Sequence, residues 1–511
     1  MGQVKTIEDN QLWDLLEREW QYLMENTPEF ATFLGEYKFD DRLTDLSDEA
    51  LKRKHHHDLE VVKELKSMEY NNLSEDNKLN FDLYLEKVLN EIREYSFKGY
   101  LMPINQMDGV QNDFSRIIQM MPFKKEKDFL NYLSRLNAFP VFIDQLIDLM
   151  KKGVEGGFVL PKSAVINVPS QIKGQLPEDY KKSPYFQPLE SDNKFLFSEL
   201  RAKIEAAIQD KLYASFNRLN DYMEKEYIPA CRDTFGLSDI PDGKGYYEHK
   251  LKMMTTTDLT AEQIHEIGKN EVERIFKEMM NLAQKVGFNG SYNEFLEHLK
   301  VNPEFYFTDP NMLMMTYRDI SKRADKELPA LFKVLPRLPY GVDEIPSHQA
   351  PSYPTAYYMP ADINMTRPGI FYANTSQLEI RPKYEMEALT LHEAVPGHHL
   401  QISLSLELEG LPKFRRLAMS DFTGYIEGWG LYSEKLGEVM GFYKDPYSKF
   451  GQLSFEMWRA CRLVIDTGLH AFNSSREKSI QYLKDHTGKS EPACAVEVDR
   501  YMSIPGQATA Y

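Results

Sequence analysis

Apolar side chains recur three and four residues apart along most of this chain, the spacing that places them on one face of a helix. From Asn10 to about Lys151 helix follows helix, starting with the stripe Leu12, Trp13, Leu16 and Trp20 and broken at Asn71-Asn72 and Met120-Met121-Pro122. Residues 153–174 are rich in glycine and proline and read as a long ordered loop. A very long helical run over 193–232 follows, carried by Phe195, Leu196, Leu200, Ile204, Ala207 and Ile208, and the turn-rich patch 235–247 closes the first half. Thr260-x-x-Gln263 and Ser291-x-x-Glu294 have the form of capping boxes, each opening a helix. The period changes between Lys333 and Ile380. There Tyr353-Pro-Thr-Ala-Tyr357-Tyr358 and Pro368-Gly-Ile370-Phe371-Tyr372-Ala-Asn374-Thr375 are β-rich, with prolines that confine them to edge strands. The pattern predicts a mainly α protein. An N-terminal helical lobe spans 1–250, and a second lobe over 251–511 holds a small sheet at about 333–380 and a pair of helices at about 385–440.

Right after the β-rich tract stands Leu391-His392-Glu393-Ala394-Val395-Pro396-Gly397-His398-His399-Leu400, with three imidazoles and a carboxylate in eight residues. The zinc-peptidase pattern H-E-x-x-H puts two histidines on one helix face beside a glutamate that serves as general base. Here the i+4 position is Pro396, so the strict pattern fails. On a straight helix turning about 100° per residue, His399 returns to the face of His392 and His398 points away. If Pro-Gly instead distorts the turn as a two-residue insertion, His398 becomes the second ligand, which is the reading a proline inside a helix favours. A third protein ligand is available downstream in Tyr425-Ile426-Glu427-Gly428-Trp429-Gly430-Leu431-Tyr432-Ser433-Glu434, where Glu427 lies 35 positions after His392 (427 − 392). His392, His398 (or His399) and Glu427, with an open coordination position, form a catalytic Zn2+ set, and Glu393 is the general base. Glu434 reads as a surface carboxylate or one lying behind the ligands.

These stretches, together with RLVIDTGLH and VDRYMSIPGQATAY, resemble the family catalogued as domain of unknown function 885, a relative of the HExxH metallopeptidases of the glutamate-zincin type. The resemblance covers roughly the second half of the chain by motif, and it too points to the histidine directly after Pro-Gly, His398. It implies a large helical two-lobed body with a deep cleft and a small sheet beside the metal helix, similar to the angiotensin-converting-enzyme and carboxypeptidase-Taq group. Members of the family continue past the Pro-Gly-Gln-Ala stretch. The resemblance therefore implies either that a final helix is absent or that the sequence is a fragment.

A peptidase also needs a donor for the tetrahedral oxyanion and, if it trims C-termini, a cation for a carboxylate. Tyr501 and Arg500 are the candidates, with a helix-end ion pair and a packed aromatic as the bland alternative. In the run 455–472, Asp466 and His470 share a helix face, as do Arg462 and Asp466. They are expected to orient the ligands from behind, with a purely structural ion-pair ladder as the alternative, and His470 is counted with the catalytic group. Tyr358, Tyr372 and Asn374 are the substrate-binding candidates, on a strand edge that can receive a peptide by strand addition. The triplet His55-His56-His57 reads as an exposed helix face, because consecutive helical residues diverge.

Composition narrows the function further. The balance of 61 basic to 78 acidic residues, net −17, argues against nucleic acid or an anionic membrane surface as partner. Three scattered cysteines suggest reduced thiols. No membrane span or signal-peptide core is seen, so a cytoplasmic location is expected, with oligomeric state open. The function expected is hydrolysis of short or unfolded peptides by a zinc oligopeptidase or carboxypeptidase. A peptide-binding protein on the same scaffold and a non-haem iron enzyme with a two-histidine, one-carboxylate site are the alternatives.

Overall fold

Caps and amphipathic stripes carry through into the computed structural model of the chain, which describes residues 6–190, 195–346, 350, 354–362, 367–417 and 422–511. It is mainly helical and divides into two compact units, residues 1–246 with 412–414, and 247–411 with 415–511. In the first unit α1 (Ile7–Asn26), α2 (Pro28–Leu34), α3 (Asp48–Ser67), α4 (Glu75–Ser96), α5 (Val110–Met120), α6 (Glu126–Gly156) and α7 (Val168–Gln175) precede one continuous helical rod. That rod comprises α8 (Ser198–Ala207), α9 (Ala214–Tyr222) and α10 (Ile228–Ala230), joined by π-helical turns at Ile208–Tyr213 and Met223–Tyr227. α1 opens on a capping box in which the Thr6 hydroxyl accepts from the Asp9 backbone and the Asp9 carboxylate from that of Thr6. The core of this unit is an aromatic cluster around Phe129, Tyr132, Phe139, Tyr185, Phe216 and Tyr227.

Two expectations about this unit need correction. Residues 153–174 are not one long loop: α6 continues to Gly156 and α7 begins at Val168. Glycine at 153 serves close approach, because a Cβ there would come within 2.7 Å of the Leu101 and Phe158 carbonyl oxygens. Nor is the histidine triplet simply an exposed face. His56 is exposed, but His57 Nε2 lies 2.6 Å from the buried Glu19 carboxylate and His55 stacks on Tyr95.

The second unit takes in most of α11 (Gly243–Thr255), α12 (Ala261–Lys285), α13 (Tyr292–Val301), α14 (Pro310–Leu331), α15 (Met386–Glu393), α16 (His398–Glu407) and the end of α17 (Lys413–Leu417), followed by α18 (Thr423–Leu436), α19 (Pro446–Ala471), α20 (Arg476–Thr487) and α21 (Glu491–Ser503). The capping boxes at Thr260 and Ser291 are both present, at the starts of α12 and α13. α19 is buried on nearly every side, and α12 crosses it closely at Gly268, where a Cβ would sit 2.8 Å from Leu463 Cβ and Val464 Cγ2. The buried positions of α19 include the polar Gln452, Arg459, Arg462, Asp466 and His470 among the apolar ones.

Strands β1 (Tyr340–Glu344), β2 (Ala356–Met359) and β3 (Gly369–Ala373) form a sheet in the order β1-β3-β2, with β1 parallel and β2 antiparallel to β3. The Pro368 segment is therefore the central strand, not an edge. The proline stands just before the strand, so the ladder from Gly369 onward loses no donor. Tyr353 lies outside the described residues. Phe371 faces the core and meets Tyr317 of α14 edge-on at 5.2 Å, in a cluster with Leu389, Leu391 and Val395. The sheet thereby packs directly against α15.

Candidate metal centre

The helix that carries His392 stops at Glu393, and the next begins at His398. Between them Ala394 (ψ −108°) and Gly397 (ψ −133°) leave the helical region. The proline does more than bulge the helix: it separates α15 from α16. The break is closed by His399 N–H donating to the Ala394 carbonyl at 3.0 Å and by Trp429 Nε1 donating to the Pro396 carbonyl at 2.8 Å. A side chain at 397 would run into the Leu391 and His392 carbonyl oxygens, so glycine is required there by close approach.

This geometry swings His398 toward His392, with ring centroids 4.7 Å apart and planes near perpendicular. One ligand atom each from His392, His398 and Glu427 of α18 lie within 4.8 Å of one another, a grouping that could hold a metal ion. His399 is outside it. Its Nδ1 is bonded to the Tyr358 hydroxyl at 2.9 Å and the Ser403 hydroxyl at 3.1 Å, so it ties α16 to the sheet.

The donors suit a divalent cation. His392 Nδ1 lies 2.9 Å from Glu434 Oε1, leaving Nε2 to face Glu427 Oε2 at 4.0 Å. A carboxylate behind a ligating imidazole fixes its tautomer and orientation. Glu434 is fully buried, and Arg459 of α19 stands 3.5 Å from the same oxygen. His398 Nδ1 is buried and has no hydrogen-bond partner among the described residues. Burial pushes the His392 and His398 imidazoles down to about 3, so both are neutral ligands at physiological pH. At Glu427 burial acts upward, but His398, His392, Arg462 and the Tyr511 hydroxyl outweigh it and hold the carboxyl below its usual range. Glu393 is half-buried. Burial, with Glu427 adding to it, pushes its carboxyl up to about 8. α15 and α18 can meet this closely because of Gly430, whose missing Cβ would sit 2.6 Å from His392 Cε1.

Other residues proposed from sequence are placed elsewhere. Tyr501 is buried with its hydroxyl accepting from Trp458 Nε1 at 3.1 Å, and Arg500 is engaged by Glu497 at 2.9 Å and Gln507 at 2.7 Å. Both follow the bland alternative of ion pair and packed aromatic, and neither has a contact with the ligand group. His470 Nε2 meets the Tyr501 carbonyl at 3.0 Å, while Asp466 accepts from the Tyr247 hydroxyl at 2.6 Å and from Gly506 N–H. This pair braces the segment after α21 rather than the ligands. Asn374 spends its amide on the Ala350 and Pro354 carbonyls and its oxygen on Ser376, so it shapes a turn. Tyr372 stacks on Tyr357, on the sheet face opposite Phe371. Of the three substrate candidates, Tyr358 alone contacts a residue next to a ligand, His399.

Of the two places the sequence allowed for Glu434, the surface or behind the ligands, the structure shows the second, two turns after Glu427 on the same helix face. One neighbour of the arginines behind the site was not assigned from sequence. Tyr511, whose hydroxyl accepts from Arg462 Nη1 at 2.8 Å, carries no signal in local spacing.

A family profile described as bacterial protein of unknown function (DUF885) matches residues 28–511. A candidate lipoprotein from Colwellia psychrerythraea has a similar crystal structure, with TM-score 0.92 and 26% identity over 99% of this chain and 91% of the other. A candidate lipoprotein of unknown function from Shewanella oneidensis shares the fold at TM-score 0.76 and 16% identity, over 98% of this chain and 91% of the other. No curated protein matches the chain. Among the described residues no helix is long and apolar enough to cross a membrane.

Proposed function

The chain belongs to the DUF885 family of bacterial proteins of unknown function, and from its site we propose that it is a zinc-dependent peptidase acting on short or unfolded peptides. The observation that carries this reading is the grouping of His392, His398 and Glu427 within 4.8 Å, with Glu393 immediately beside a ligand. A metal site with a purely structural role has no use for an adjacent base.

Zinc held by those three residues would supply Lewis acidity, polarising a carbonyl and making water a nucleophile near neutral pH. The ionised form of Glu393, whose carboxyl burial and Glu427 otherwise push up to about 8, would be favoured by a bound cation, and the carboxylate then takes the proton from the attacking water and delivers it to the leaving amine. Glu434 and Arg459 hold His392 from behind. The outer edge of β2, whose Tyr358 hydroxyl meets His399, is where an extended peptide would align. By this proposal the fold serves the same chemistry as the helical zinc peptidases.

The test is a diverse peptide library incubated with zinc-loaded wild type, chelator-treated wild type and Glu393→Gln. Cleavage that is lost with the chelator, restored by zinc and absent in Glu393→Gln supports the reading. A zinc-loaded wild type that leaves the library as intact as Glu393→Gln does refutes it.

A further inference from the structure

A cleft of about 280 Å3 opens in the first unit where the start of α3, the turn after α4 and the end of α6 come together. Three lysines, Lys52, Lys98 and Lys152, line it against one carboxylate, Asp48. A chain of net charge −17 thus carries a local excess of positive charge here. Asp48 is engaged by Lys152 at 2.6 Å, in an exposed pair that holds neither side chain firmly. The Lys52 and Lys98 ammonium groups have no carboxylate partner among the described residues. Lys54, two positions on in α3, shows the contrast, for it lies between Asp58 at 2.9 Å and Glu91 at 2.8 Å. Lys98 also occupies the left-handed region at φ 57°, where glycine is the ordinary residue, and its ammonium lies 5.4 Å from the centre of the Phe158 ring. The aromatic wall is assembled in advance. Tyr100 stacks on Tyr95 at 5.3 Å and Tyr95 on His55 at 4.2 Å, a column that fixes the rings before any ligand arrives.

We propose that this cleft binds a small aromatic anion, a single ring bearing a phosphate or a carboxylate, with Lys52 and Lys98 holding the charge and Tyr100 and Phe158 the ring. The inference is independent of the zinc reading. Ligand cavities start near about 300 Å3, so there is room for one ring and its charged group. A polyanion is excluded by charge, because a nucleic acid running beyond the cleft would meet the net negative charge of the rest of the chain. An ammonium is a compact point charge and pairs with a phosphate or a carboxylate alike.

Isothermal titration calorimetry of the full chain with phenyl phosphate and with benzoate tests this, beside phenol and inorganic phosphate, which carry the ring and the charge separately. At least one of the two aromatic anions should bind saturably, with phenol and inorganic phosphate weaker by about tenfold or more, and the arm that binds identifies the charged group. Lys52→Met, Lys98→Met and Tyr100→Leu should each raise its dissociation constant about tenfold. Lys66→Met, at an exposed position of α3 outside the cleft, should leave it unchanged. The lysines are exposed, so their variants should melt as wild type does. No saturable binding of either aromatic anion overturns the inference, as does binding that Lys98→Met and Tyr100→Leu leave unchanged. Inorganic phosphate or phenol binding as tightly as the aromatic anion overturns it as well. Binding lost in His398→Ala but kept in Lys98→Met does so too, by placing the anion at the metal centre.

Discussion

Gly430→Ala is the substitution that tests the site most sharply. Glycine in a helix interior costs about 1 kcal/mol relative to alanine, so on propensity alone the change should stabilise α18. The structure predicts the opposite. The new Cβ would stand 2.6 Å from His392 Cε1, 2.9 Å from Nε2 and 3.0 Å from Nδ1, where ordinary contact begins near 3.4 Å. Either the ring or the helix must retreat by about 0.8 Å (3.4 − 2.6). The ring cannot turn away cheaply, because Nδ1 is held by the buried Glu434. Overpacking of this kind costs about 1–3 kcal/mol. A displacement several times the ~0.2 Å tolerance of a metal–ligand bond should also weaken zinc binding at least tenfold. Gly428→Ala is the control, since a Cβ there meets nothing within 4 Å and should be neutral or stabilising by up to about 1 kcal/mol. Thermal melts of the metal-free proteins and competition against a chromophoric zinc chelator read both quantities. If Gly430→Ala melts and binds zinc as Gly428→Ala does, α18 does not press on His392 and the argument fails.

Four further outcomes follow from contacts in the structure. His398→Ala should abolish stoichiometric zinc by elemental analysis. His399→Ala should retain zinc but lose about 1–3 kcal/mol of stability through its broken bonds to Tyr358 and Ser403; the reverse result would exchange the two histidines. Asn374→Ala strands the buried Ala350 carbonyl and should cost about 1–3 kcal/mol by denaturant titration, with peptide cleavage by the folded fraction unchanged. Asp9 is buried against that effect's usual direction: desolvation pushes its carboxyl up, but Asn77, Thr6 and Ser74 overcome this and lower it from 3.8 to about 2. A folded-state value below the unfolded one means stability that is full above pH ~4 and lost as pH falls through ~2, about 2 kcal/mol in all. Asp9→Asn should therefore be weaker than wild type at pH 7, with the gap closing in acid melts. A gap that stays constant down to pH 2 would show that the carboxylate's charge is not what stabilises α1.

Local information determined a great deal here. The helices, the capping boxes at Thr260 and Ser291 and the small sheet ahead of the histidines are all written in periodicity and short-range spacing, because hydrogen bonds within a turn and one buried face decide them. His392 and Glu427 could be paired from sequence, since residue type and motif suffice to nominate ligands. The tertiary structure alone decided the rest. Whether Pro-Gly bends or breaks the helix determines which histidine turns inward, and that depended on Trp429 and the backbone of α15 closing the break. Arg500, Tyr501, His470 and Asn374 have the right chemistry for a site, but their polar atoms are consumed by partners brought in from elsewhere in the chain. Tyr511 shows the converse. Forty-nine positions separate it from Arg462 (511 − 462), and no local pattern records that a distant segment will set a phenol against that guanidinium. Secondary structure follows from neighbours in sequence, whereas a site is a set of neighbours in space, and packing alone determines which polar groups are left free to act.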